Sequence, residues 1–399
     1  MSEFVTVTRR GLGARTKNSV GGAIFGFILL ALGVILLFWN EGRAVKRYQD
    51  LKEGAGKVVS VDSASVDAAN EGQLVHLSGE AKTTGPLSDP VFGISETAIR
   101  LSRTVEMFQW IEDVRTETKN NTGGSETVKK YYSYSKEWSS SLVDSSQFQN
   151  PQGHENPGSM KYRSDSVYAD TVTLGAFRLP EFLVKKIRGE EELPVSSLES
   201  FSEPVRAEAK VSGNGLYFGT NPSAPEVGDM KVRFSVVRPG PVSVVAQQNG
   251  DSFVPYQAKT GGKLDLLESG IVPADQMFQM AHERNKFMTW AIRIGGYFML
   301  AMGFSMILGP LAVFASILPF LGRIVETGTT FIGFLFAGIV WAGTVSIAWI
   351  FYRPILGIAI LVIAVVCIVL IVKRLRSGGA NTASSGDAPP PLDTPPPLT

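Results

Sequence analysis

Apolar residues gather in one run near the start of the chain and in a dense block near its end, with a long polar stretch between. Gly21 to Trp39 (GGAIFGFILLALGVILLFW) carries no charge and, as a helix, is long enough to cross a hydrocarbon core of roughly 30 Å. Comparable density returns at Ile294 and persists to Val372. Pro310 and Pro319 interrupt that block, predicting a kink or a shorter, tilted or re-entrant piece. Thr329 to Val372 has one charge, Arg353, followed directly by Pro354. Proline disfavours helix at the residue before it, so this length suits two crossings with a turn at Tyr352-Arg353-Pro354. The pattern predicts transmembrane helices at 20–39, 294–316, 329–351 and 354–372. The fold class is an integral membrane protein of four transmembrane helices, with a large β-rich α+β extramembrane domain at 40–285 between the first and second.

Within that domain, Leu101–Val114 and Val128–Leu142 are rich in aromatic and β-branched residues and flank the turn cluster Lys119-Asn120-Asn121-Thr122-Gly123-Gly124. They read as a long hairpin, with Tyr132, Tyr134 and Trp138 on one face by period-two spacing. Further strands are expected at 56–61, 73–79, 214–218, 231–237 and 242–247, the last two around a turn at Arg238-Pro239-Gly240-Pro241. Helix is expected for Glu41–Leu51, as an extension of the first span, and for Leu179–Arg188 and Ala274–Lys286. From Ser377 the chain turns to Gly, Ala, Ser and Pro, and 377–399 reads as a disordered, Pro-rich tail.

Charge sets the orientation. Arg9, Arg10, Arg15 and Lys17 make 1–19 a basic tail, and Lys373, Arg374 and Arg376 close the last span. The positive-inside rule then places both termini in the cytoplasm and 40–285 on the opposite side, luminal or periplasmic. Arg43, Lys46, Arg47 and Lys52 just beyond the first span run against that rule. The first run lacks a cleavage pattern and reads as an uncleaved signal anchor. A net charge of +1 argues against nucleic acid as a partner. The only cysteine, Cys367, lies in the last span, so the domain has neither disulfides nor thiolate metal sites.

Candidate chemistry is sparse. His76, His154 and His282 lie far apart, and no zinc motif, nucleophile elbow, P-loop or dinucleotide fingerprint occurs. Gly153-His154-Glu155-Asn156-Pro157 sets a histidine beside a carboxylate, but a loop histidine bonding its own turn is the simpler reading. Glu226 and Asp229 offer oxygen ligands for a cation, although two acids in a turn are ordinarily solvated. The hairpin's aromatic face reads as the buried side of a sheet in preference to a ligand platform. No acid lies deep in any span, which counts against a carrier. Arg293, at the edge of its span, is expected to snorkel to the headgroups. Gly22/Gly26 and Gly333/Ala337 permit close helix packing. No catalytic residue, cofactor or metal site is assigned.

A set of short blocks, in order from the first span to the last, resembles the LUMA family (transmembrane protein forty-three). They are Asn40-Glu41-Gly42-Arg43, Glu106 with Gln109-Trp110, Tyr132 and Tyr134 with Trp138, Gly153-His154 with Asn156-Pro157, Glu226 with Gly228-Asp229, Gly250–Tyr256, Thr289-Trp290 and Arg353-Pro354. The resemblance implies four spans, a large luminal domain, self-association, and no enzyme class. In animals it implies residence in the endoplasmic reticulum and inner nuclear membrane with emerin and lamins as partners. The Pro-rich end and the lack of an evident retrieval signal suggest a bacterial or other microbial member, with a periplasmic domain in the inner membrane and neither of those partners.

The functional expectation is a non-catalytic scaffold, organiser or sensor of the membrane, working as a homo-oligomer through its helices, with the lipid bilayer as its first partner. An oligomeric channel or transport accessory is the alternative, and a membrane-bound hydrolase the third reading.

Overall fold

The computed structural model describes residues 4–121, 125–315 and 319–355, with isolated positions beyond. Among the described residues, three helices are long and apolar enough to cross a membrane: α1 (Leu12–Lys57), α2 (Ala274–Ala315) and α3 (Pro319–Tyr352). The expected span at 354–372, the hairpin tip at 122–124 and the tail at 377–399 fall outside the described residues. Pro310 lies inside α2 without ending it, and Pro319 opens α3. Proline is tolerated in both places, because a bilayer favours helix strongly and a first-turn N–H has no intrahelical partner to lose. Both α1 and α2 continue well past the apolar runs. The polar extensions 40–57 and 274–293 carry the helical bundle into the domain.

The main strands are β1 (Phe4–Arg10), β2 (Leu74–Thr83), β3 (Arg100–Asn120), β4 (Glu126–Ser139), β5 (Val172–Leu174), β6 (Gly215–Phe218), β7 (Met230–Val237), β8 (Gly240–Asn249) and β9 (Leu266–Ser269). They form two sheets. The first is ordered β1-β4-β3-β7-β6 and ends on Ala209–Ser212; the second places β2 between β5 and β8, with β9 on β8. Strands β7 and β8 belong to different sheets, so Arg238-Pro239 is a corner between sheets, not a hairpin. Leu179–Arg188, expected as helix, yields only the turn Glu181–Val184, after a strand at Phe177–Leu179.

Each sheet has its own core. Phe92, Phe218, Phe234, Leu101, Val105 and Val232 fill the first; Leu77, Leu174, Phe177, Val244 and Phe253 fill the second. A third cluster of Leu51, Leu264, Leu266, Met277, Phe278 and Ala281 joins the helix extensions to the second sheet. This is where the domain is seated on the helices. Gly54 is required there, since a Cβ would come 2.6 Å from Leu264.

The basic tail takes a form that its composition did not suggest. Residues 4–10 are β1, antiparallel to β4 with Thr8 opposite Val128, and Arg10 and Arg15 both pair with Glu126. Leu12, the start of α1, lies about 42 Å from Asn40 at 1.5 Å per residue. The β3–β4 arm covers a similar distance: Met107 to Asn120 is roughly 43 Å at 3.3 Å per residue. The arm therefore runs the same thickness that 20–39 would cross, carrying Glu112, Asp113, Arg115, Glu117, Lys129 and Lys130. Hydrocarbon admits helices and closed barrels, not a charged ribbon with open edges. Pairing of β1 with the arm and insertion of 20–39 into a flat bilayer beside it exclude one another.

Candidate functional site: the junction of helices and domain

At the end of its apolar run α1 presents Asn40-Glu41-Gly42-Arg43, and antiparallel α2 brings Asn285, Thr289 and Arg293 to the same level. Glu41 is fully buried and accepts two bonds from Arg293, Nε at 2.6 Å and a terminal nitrogen at 2.8 Å. The bidentate geometry satisfies both oxygens, and charge-assisted pairs of this kind are among the stronger hydrogen bonds. Trp349 of α3 donates to the same carboxylate at 2.8 Å, and Trp341 donates to the Arg293 carbonyl at 3.0 Å. Trp290 and Trp349 flank the guanidinium at 4.9 and 5.4 Å from their ring centres, within cation–π range. All three helices are tied at one carboxylate.

The neighbouring residues extend the tie. Asn40 donates to the Thr289 carbonyl at 3.1 Å, while Arg43 bridges Asn40, Asn285 and Thr289. Asn285 donates back to the Ala44 carbonyl at 2.9 Å. Gly42 leaves room for Tyr352, whose ring would lie 2.6 Å from a Cβ at that position. Arg293 thus departs from expectation: it is buried against Glu41 and does not snorkel. The clue lay in the spacing. An acid ending one span and an arginine opening the next fall at one depth when the helices are antiparallel.

Below the junction the small residues are used within the chain. A Cβ on Gly26 would meet the Gly303 carbonyl at 2.7 Å, and one on Gly333 would meet Ser305 at 2.8 Å. Ala337 is buried with Leu37, Leu300 and Ala301. Gly22 sits more loosely, near Met306. Beside the junction, α1, α2 and α3 enclose a cavity of about 390 Å³ lined by Tyr48, His282, Lys286, Trp290, Trp349 and Arg353 among others. Burial, then the charge of Arg47, holds the His282 imidazole below its usual pKa.

The remaining motif residues gather along the β3–β4 arm as a clasp. His154 stacks on Tyr134 at 3.9 Å, meets Trp110 edge-on at 4.7 Å, and its Nδ1 bonds the Asn150 carbonyl at 3.0 Å. Asn156 accepts from the Trp110 N–H at 2.7 Å and donates to the Trp110 and Val143 carbonyls. Gln109 holds Ser141 and Val143 in the same way. Gly153 has a φ of +79°, which suits glycine in this turn. The clasp fastens loop 140–157 across the arm and shows no nucleophile–base pair.

Tyr132 and Tyr134 are buried, whereas Trp138 is half-buried between Phe108 and Tyr217 with Lys231 over its ring at 4.4 Å. Glu106 pairs with Lys231 and Arg233. Asp229 accepts from the Tyr217 hydroxyl and, at 2.8 Å, from the Glu226 N–H, closing the turn that Gly228 and Pro157 contact. Its oxygens are spent on the turn, and no group of His, Cys, Asp and Glu is arranged to hold a metal among the described residues. Burial and Asp229 raise the Tyr217 hydroxyl well above the usual range for tyrosine.

A β-rich domain seated on a bundle of apolar helices, with a buried ion pair at the seam, defines a membrane protein with a large extramembrane region. The family pattern described as Transmembrane protein 43 matches residues 107–354. The chain is 35% identical to Transmembrane protein 43 of Pongo abelii over 384 residues, 93% of this chain and 94% of that one. It is 35% identical to the Rattus norvegicus protein over 94% and 96% of the two chains. The Drosophila melanogaster homolog is 31% identical over 85% and 91%. The chain belongs to the transmembrane protein 43 family. No solved structure matches it.

Proposed function

We propose that this chain is a non-catalytic organiser of the membrane that carries its β-rich domain at a fixed orientation to the bilayer. The observation behind this reading is the Glu41–Arg293–Trp349 junction. A flexible tether needs no buried ion pair, whereas a rigid seat must fix the helices against one another where the domain begins. In lipid, spans 20–39, 294–316, 329–351 and 354–372 put both termini on one side and the domain on the other, and β1 is released from the arm. A bacterial setting would make this the inner membrane; a eukaryotic one, the endoplasmic reticulum or inner nuclear membrane. Self-association would use lipid-facing surface, because Gly26, Gly333 and Ala337 are already occupied within the chain.

Spin labels at exposed Val211 in the domain and Leu335 in α3, in lipid nanodiscs, test the rigid seat. One narrow distance distribution is expected. A broad distribution would replace the organiser with a loose tether. Protein-dependent ion flux from vesicles would favour the channel reading instead.

A further inference from the structure

The cations at the junction are not all used by it. Arg293 is consumed by Glu41, but Lys286 and Arg353, which line the adjoining cavity, make no ion pair among the described residues. The cavity volume, about 390 Å³, has the scale of a phospholipid headgroup and not of a whole lipid. Its walls are the rings of Tyr48, Trp290 and Trp349, and its lining contains no carboxylate.

Depth fixes what can enter. The cavity lies where the apolar runs end, and exposed Trp39, Phe287, Trp290 and Phe351 stand at the same level. Tryptophans such as Trp39 and Trp290 mark the headgroup layer. An occupant must therefore be reachable from the headgroup layer, and its acyl chains would continue along the exposed faces of Ile294 and Phe298.

We propose that this cavity binds the phosphate of an anionic phospholipid in the leaflet facing the domain, with Lys286 and Arg353 gripping the phosphate and Trp290 and Trp349 walling the headgroup. Basic pockets between membrane helices recognise anionic headgroups through this combination of charge and depth. The site also gives Lys286 and Arg353 a role on the domain side, where the positive-inside rule disfavours cations. The inference goes beyond the organiser reading and does not depend on it.

The test uses full-length protein in mild detergent, titrated by native mass spectrometry with phosphatidylglycerol, with phosphatidylcholine and with inorganic phosphate. Phosphatidylglycerol should bind in preference to phosphatidylcholine. At about 1 kcal/mol per cation near the headgroups, Lys286→Gln with Arg353→Gln should weaken it by roughly 10- to 30-fold. Lys46→Gln, whose side chain lines a separate cavity, should leave this binding unchanged. Equal binding of the two lipids, or wild-type affinity in the double variant, would overturn the proposal. Displacement by millimolar inorganic phosphate would assign the site to free phosphate instead of lipid. Lys286→Gln alone, on an exposed side chain, keeps the test decisive if the double variant misfolds, with a several-fold loss expected and unchanged affinity counting against the site.

Discussion

Two buried ion pairs in this molecule share one chemistry and differ in what they join. Arg103 and Asp89 are buried in the first sheet's core, only fourteen positions apart, and Asp89 also accepts the N–H groups of Val91 and Phe92. Arg103 lies over the Phe92 ring at 5.0 Å and donates to the Arg163 carbonyl. That pair shapes a loop inside one core. Glu41 and Arg293 are 252 positions apart on different helices, and they hold a bundle at the depth where a domain begins. A buried pair costs desolvation wherever it lies. In the sheet core the return is local conformation; at the junction it is the relative placement of whole elements.

The largest effect should come from the sheet core. Asp89→Ala leaves Arg103 buried without its partner, which typically costs about 3–5 kcal/mol. Thermal unfolding of the domain should fall sharply while the helices remain associated. An unchanged melting temperature would mean that Arg103 is satisfied by the Asp165 carboxylate at 4.0 Å, the Arg163 carbonyl and Phe92.

Glu41→Ala should cost less, about 2–3 kcal/mol, because Arg293 sits near the headgroups and its freed guanidinium has a route to water. Its signature is positional. The Val211–Leu335 distance distribution should broaden while the domain's own melting stays near wild type. A sharp distribution in this variant would show that the apolar cluster around Leu51 and Phe278 seats the domain without the ion pair.

This contrast also separates what was legible in the chain from what was not. The apolar runs, the long arm and strands β2, β6, β7 and β8 follow from periodicities that local residues set. Glu41–Arg293 was half legible, since both residues stand at span edges and Asn40–Arg43 falls within a family block. Asp89–Arg103 left no trace, because a loop acid meets a strand arginine only through the folded sheet. The pairing of β1 was hidden for a related reason: Val5, Val7 and the basic residues around them read as a tail until a distant edge strand receives them. Leu179–Arg188 failed as a helix because the buried Leu179, Leu183 and Ile187 serve the second sheet's core from a strand end and a turn.

Gly26→Leu probes the bundle below the junction. The added side chain must displace Met306 and Ile307 and opposes the Gly303 carbonyl, and overpacking of this kind costs about 1–3 kcal/mol. Cross-linking between α1 and α2 should weaken while subunit number stays unchanged. Loss of an oligomer with intact α1–α2 contact would return this glycine to an interface between copies.

The smallest effect is a pH dependence confined to the junction. The His282 ring lies tilted against Tyr48, 5.0 Å between ring centres, and faces Arg47, with Lys286, Arg293 and Arg353 around the same cavity. Burial first and the charge of Arg47 second hold its pKa below 6.5 in the folded protein. The unfolded chain then binds the proton more readily, so stability is complete above pH 6.5 and declines as pH falls from 6.5 toward the folded pKa. His282→Asn should flatten the decline, and a ring-proton titration of His282 should give a midpoint under 6.5 in neutral detergent. Adding phosphatidylglycerol should move that midpoint upward, because a phosphate beside Lys286 and Arg353 offsets the cations that disfavour imidazolium. A midpoint above 6.5 without any anion would show that burial and Arg47 do not govern this side chain.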